Sequence, residues 1–90
     1  MSALTWAGLE LFFNSSDHLP PHFHAERVNE WEVRIFFLRS EEEMVELKWE
    51  KKTPPRKTLS GLCHAAAGVR FELLQEWETK VVVTSPGAEE

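Results

Sequence analysis

Apolar and polar residues alternate in four short stretches of this chain, and then the period changes to that of a helix. Leu9, Leu11 and Phe13 share one side of the first stretch, with Glu10 and Phe12 on the other, which is the period of a strand. His22 to Arg27 fits a second strand. Trp31 to Leu38 is the strongest of the four. Trp31, Val33, Ile35 and Phe37 form one face, and Glu32, Arg34, Phe36 and Leu38 the other. That second face begins polar and ends apolar, so its far end calls for a cover. From Met44 to Glu50, alternation places Val45, Leu47 and Trp49 inward and Glu46, Lys48 and Glu50 outward. The breaks between strands have their own chemistry. Residues 1–8 read as an irregular lead-in, and Asn14-Ser-Ser-Asp17 as a loop of side chains that bond to nearby backbone. Pro20-Pro21 stiffens the chain in an extended form. Val28-Asn29-Glu30 is expected to make a hairpin turn, with Asn29 at positive φ. Arg39 to Glu43 is a charged turn.

Past Pro54-Pro55 the apolar residues fall at helical spacing. Leu59, Leu62, Cys63 and Ala66 line one side, and Val69, Leu73, Leu74 and Trp77 continue the stripe. Gly68 interrupts it, and an unbroken helix would bring Arg70 to the apolar side, so a kink or break is expected near Gly68. Val81-Val82-Val83 extends the helix or forms a short extended end. The expected architecture is therefore α+β: an antiparallel sheet of three to four strands, followed by one kinked or two C-terminal helices packed on one face.

Composition narrows the setting. Ninety residues make one small domain, expected over residues 1–84, with Ser85–Glu90 as a disordered tail. A net charge of -5 argues against nucleic-acid binding by the chain alone. A local basic patch is open to Lys48, Lys51, Lys52, Arg56 and Lys57. One cysteine forms no internal disulfide and fits a reducing, cytoplasmic compartment. No secretory leader or membrane-spanning window is expected, and nothing in the pattern sets an oligomeric state.

Candidate chemistry gathers in His18-Leu-Pro-Pro-His-Phe-His-Ala-Glu26, which holds three of the four histidines. The candidate binding residues are Asp17, His18, Pro20, Pro21, His22, His24 and Glu26. In a strand His22, His24 and Glu26 point the same way, with neighbouring same-face positions ~7 Å apart. His22 and His24 can thus converge on one metal ion, zinc first, with nickel or copper behind it. Glu26 lies ~13 Å from His22 along such a strand and is too distant to share that ion. A third ligand would come from His18, a neighbouring strand or His64. Two readings stand beside the metal site: imidazoles that hydrogen-bond to the loop and fix the Pro-Pro turn, and a ligand-binding or catalytic pair without metal. The pattern departs from that of histidine-triad hydrolases, because Glu26 occupies the third alternating position and no glycine-rich phosphate loop is present. Cys63 sits on the apolar helix side, where a thiol is inert. No complete catalytic constellation appears, so no reaction is assigned.

Asp17-His-Leu-Pro-Pro-His-Phe-His-Ala25 resembles the D-H-x-P-P-H-F-H-A signature of the bacterial domain of unknown function 4160 family. Leu11-Phe-Phe13 is similar to that family's aromatic lead-in strand. Pro55-Arg-Lys-Thr-Leu59 with Glu72-Leu-Leu-Gln-Glu-Trp77 is similar to its closing pattern P-R-R-A-L … E-L-L-x-x-W. The chain departs from it at Arg27-Val-Asn-Glu30, where a glycine-containing turn is usual, and in the small-residue helix Ser60–Gly68. The resemblance implies a small cytosolic domain without an assigned reaction. It also implies a protein partner encoded nearby, in a pairing of toxin–antitoxin type. An interaction module is the expectation that follows. The alternative is a small metal-dependent or nucleic-acid-processing enzyme using His22 and His24.

Overall fold

Four strands pair in sequence order, each antiparallel to the next: β1 (Glu10–Phe12), β2 (Phe23–Arg27), β3 (Trp31–Ile35) and β4 (Val45–Glu50). Two helices follow, α1 (Arg56–Gly68) and α2 (Arg70–Lys80). The computed structural model describes residues 1–81. The tail expected at residues 85–90, and the end of the domain expected at residue 84, lie outside the described residues. None of the described helices is long and apolar enough to cross a membrane.

The β2–β3 turn is the one its residues call for. Asn29 takes φ 67°, and Glu30 N–H donates to Arg27 O at 2.9 Å. This turn sets the register: Arg27 faces Trp31, Ala25 faces Val33, and Phe23 faces Ile35. Partners across a ladder share a sheet face. Phe23, Ala25, Val33 and Ile35 therefore lie together, and with Trp31 and Phe37 they close on Leu62 and Cys63 of α1 and Leu73 and Trp77 of α2. This is the α+β layer that the alternation predicts, with the helices on one sheet face.

The strands are shorter than the alternation suggests. β3 ends at Ile35, because Phe36 N–H turns to donate to Met44 O and Arg39 N–H closes back on Phe36 O. His22 sits one residue before β2. β4 carries a correction of more consequence. Glu32 pairs with Trp49 but Val33 with Leu47, so Lys48 is an extra residue in a bulge. Beyond the bulge the faces exchange. Trp49 leaves the side of Val45 and Leu47 and joins Glu32 on the outer face. Met44, just before β4, is fully buried, whereas Leu47, expected inward, is 49% exposed.

The helical break falls where Gly68 and Arg70 predict it. α1 ends at Gly68, and Val69 (φ -128°, ψ 30°) separates the helices. The redirected Arg70 donates from Nε to Phe37 O at 2.7 Å and from Nη2 to Arg39 O at 2.8 Å, tying α2 to the turn after β3. α2 ends at Lys80 and Val81 is already extended; Val82 and Val83 lie outside the described residues. Gly61 has a packing role in α1, since a Cβ there would meet the Trp6 ring at 2.9 Å. The lead-in thereby packs against the helices, and Glu76 secures it by accepting from Ser2 N–H and Ala3 N–H, each at 2.8 Å.

Candidate functional site

The face of the sheet away from the helices holds His24 of β2, Glu32 and Arg34 of β3, Phe12 of β1, and Glu46 and Trp49 of β4. It is not simply wet. His24 is 1% exposed and Glu32 6%, because residues 13–22 bring Asn14 and Asp17 against the His24 ring.

His24 is held through both nitrogens. Its Nδ1 lies 3.0 Å from Glu32 Oε2. An ionised carboxylate only accepts hydrogen bonds, so Nδ1 carries the proton and donates it. Glu32 is ionised below the usual carboxylate range. Burial opposes its charge, but Lys48 Nζ at 3.1 Å, Trp49 Nε1 at 3.2 Å and His24 more than offset that cost. The β4 bulge is what delivers both Lys48 and Trp49 to this carboxylate. His24 Nε2 lies 3.1 Å from both Asp17 Oδ2 and the Asn14 amide nitrogen. Phe12 stacks on the ring at 5.1 Å between centroids.

His22 is arranged in the same way. Its Nδ1–H donates to Pro20 O at 2.9 Å, because a carbonyl only accepts. Burial lowers its pKa, against the opposing influence of that hydrogen bond and of Asp17, so the ring is neutral near pH 7. Its Nε2 then presents a lone pair to Asp17 Oδ2 at 3.4 Å. Phe36 and Trp77 flank the ring at 4.9 and 5.7 Å between centroids. Of the apolar end of the outer face, Phe36 finds a cover in His22 and the Arg39 guanidinium, while Leu38 stays exposed.

Asp17 Oδ2 therefore meets the Nε2 atoms of two imidazoles whose Nδ1 protons are engaged elsewhere. Donor atoms from Asp17, His22 and His24 all lie within 4.8 Å of one another. Two ligands on one ion at ~2.1 Å stand about 3.0–3.4 Å apart for right-angle to tetrahedral geometry. The two Asp17–histidine distances fall at that spacing. In sequence, residues 8–78 match the family model described as Domain of unknown function (DUF4160).

The chain belongs to the DUF4160 family. No curated protein and no solved structure matches it.

In this DUF4160 chain the sequence-predicted residues separate into two groups. Asp17, His22 and His24 come together, and the Pro20 carbonyl orients His22. The third member of the cluster is Asp17, reached through the loop, rather than His18 or His64. His64 is exposed on α1, 3.4 Å from Glu41. His18 is exposed at the loop apex, and Pro21 is half-buried beside it. Glu26 remains outside the cluster, in register between Glu10 and Glu32. Lys48 belongs to the Glu32 network and not to a basic patch. Sequence reasoning missed Glu32, Asn14 and Phe12 as partners of His24. For Glu32 the signal was present: a hairpin centred on Asn29 pairs Glu26 with Glu32 and puts Glu32 diagonal to His24.

Beside the cluster a cleft of about 450 Å³ opens between the loop and the outer face. Asp17, His22 and the loop apex line one side, and Arg34, Phe36 and Arg39 the other.

Proposed function

We propose that this domain binds a divalent transition metal through His22 Nε2, His24 Nε2 and the Asp17 carboxylate, and presents the ion to the neighbouring cleft. The observation that carries this reading is the pair of fixed imidazoles. Each Nδ1–H is spent on a defined acceptor, and each Nε2 is aimed at the same carboxylate oxygen. A carboxylate or carbonyl behind a histidine is the usual support of a metal-ligating ring, because it fixes the tautomer and the ring orientation. Zinc is the first choice for two nitrogens and one oxygen, and Fe(II) takes the same donor types where further positions stay open. Three protein ligands leave room for water or substrate, which is the arrangement of a catalytic rather than a purely structural ion. The His22–Pro20 bond also fixes the proline turn, so the structural role of the histidines and the metal role are served by the same contacts.

Titration calorimetry of tag-free, chelator-treated protein with zinc tests this reading. The expected result is one ion per chain, with binding lost in His22→Ala and Asp17→Asn. No binding, or binding unchanged in both variants, overturns it.

A second reading is an interaction module paired with a protein encoded nearby in the manner of toxin–antitoxin systems, which is what the family resemblance implies. Leu19, 59% exposed at the apex of the histidine loop, is the position at which a contact there would be tested. The net charge of -5 favours a protein over nucleic acid, and a cytoplasmic setting suits the single buried cysteine. Co-expression with the neighbouring gene product should give a complex that Leu19→Asp disrupts while zinc binding persists. Separate elution of the two proteins ends this reading.

A further inference from the structure

We infer that the cleft beside Asp17 and His22 takes a small organic oxyanion, a carboxylate or a phosphate-type group, held between the bound metal and Arg39. This inference rests on the metal reading above and adds a substrate class to it.

Three observations lead there. First, His22 and Asp17 both line the cleft, so a ligand within it can approach an ion held by His22, His24 and Asp17. Second, the two arginines across the cleft are not equivalent. Arg34 Nη1 is committed to Glu46 Oε1 at 2.9 Å. Arg39 has no carboxylate partner among the described residues; its guanidinium carbon lies 4.1 Å above the Phe36 ring. Stacking on the ring orients the fork, and its N–H groups remain available for paired hydrogen bonds to an oxyanion. The Arg39 backbone is itself held, because its carbonyl accepts from Arg70 at 2.8 Å. Third, the cleft is small and its remaining lining is part apolar, with Phe36, Leu19 and Pro20. That suits an organic body of a few carbon atoms attached to the anion.

Charge favours the same occupant. Without a metal, Asp17 and Glu46 balance the two arginines. With a divalent ion bound, the cleft becomes a local positive site in an otherwise acidic chain. Anion binding is therefore expected to depend on the metal.

Cobalt(II) provides a visible probe, since its absorption band changes when an exogenous oxygen enters the coordination sphere. Cobalt-loaded protein is titrated with benzoate and with phenylphosphonate, alongside Arg39→Gln and Arg39→Lys. The expected result is a saturable band shift with at least one anion. It should weaken about tenfold or more in Arg39→Gln and less in Arg39→Lys, with cobalt affinity unchanged. The anion that binds more tightly names the group. Cobalt binding with no response to either anion, or equal anion affinity in the wild type and Arg39→Gln, overturns this inference and leaves the metal reading standing. Failure to bind cobalt overturns both.

Discussion

His24 has the most demanding position of any polar residue in the domain. It is buried, both ring nitrogens face carboxylates, and Phe12 covers its face. Removing the ring leaves Glu32 and Asp17 beside a void with lost hydrogen bonds. His24→Ala should therefore cost about 2–4 kcal/mol in urea unfolding. A loss below about 0.5 kcal/mol would mean that the network contributes nothing to folding. Glu32→Gln separates support from ligation, because it keeps the shape and removes the charge behind His24. The fold should persist while metal affinity falls about 10- to 100-fold. Unchanged affinity would mean that Glu32 serves the fold alone.

Among the elements, the β2–β3 hairpin does most to place the site, since it sets both the His24–Arg34 and the Glu26–Glu32 pairings. Its one unusual backbone position is Asn29, at φ 67°. Asn29→Gly should be neutral or slightly stabilising, and Asn29→Val should cost about 1–2 kcal/mol, because a β-branched residue clashes in the left-handed region. Equal thermal stability of the two variants would count against this turn. The hairpin and the helical break were legible in the sequence for the same reason: each is dictated by a local preference, of Asn29 for positive φ and of Arg70 against burial. The bulge in β4 was not. Glu46, Lys48 and Glu50 alternate with apolar neighbours without interruption, and only the tertiary demand of Glu32 for partners selects the shifted register. The histidine cluster was half legible. Spacing along one strand gave His22 and His24, but the approach of Asp17 depends on how the loop folds back, which no spacing encodes.

Across the whole molecule, Glu76 joins the lead-in to α2. It accepts hydrogen bonds from Ser2 and Ala3 and pairs with Lys80 at 2.7 Å. Burial opposes its ionisation, but these partners prevail and hold its pKa at about 2. A carboxylate depressed in the folded state stabilises fully above its unfolded pKa, near 4.5, and that contribution is lost as pH falls toward about 2. Glu32 acts in the same direction. His22 acts earlier: its folded pKa lies below 6.5, so the unfolded chain takes up more protons on acidification, and stability declines from about pH 6.5 downward. Melting temperature should thus fall in two stages, first below about pH 6.5 and again below about pH 4.5. Glu76→Gln should lose about 1–2 kcal/mol at neutral pH and blunt the second stage only. A flat profile between pH 7 and 3 would contradict these assignments.

Anomalous diffraction from zinc-soaked crystals of the tag-free protein is the decisive test of the proposed metal site at Asp17, His22 and His24. A single strong zinc peak is expected within ~2.0–2.2 Å of His22 Nε2, His24 Nε2 and an Asp17 oxygen. A peak only at His64 and Glu41, or no peak at the cluster with zinc at saturating concentration, would contradict it.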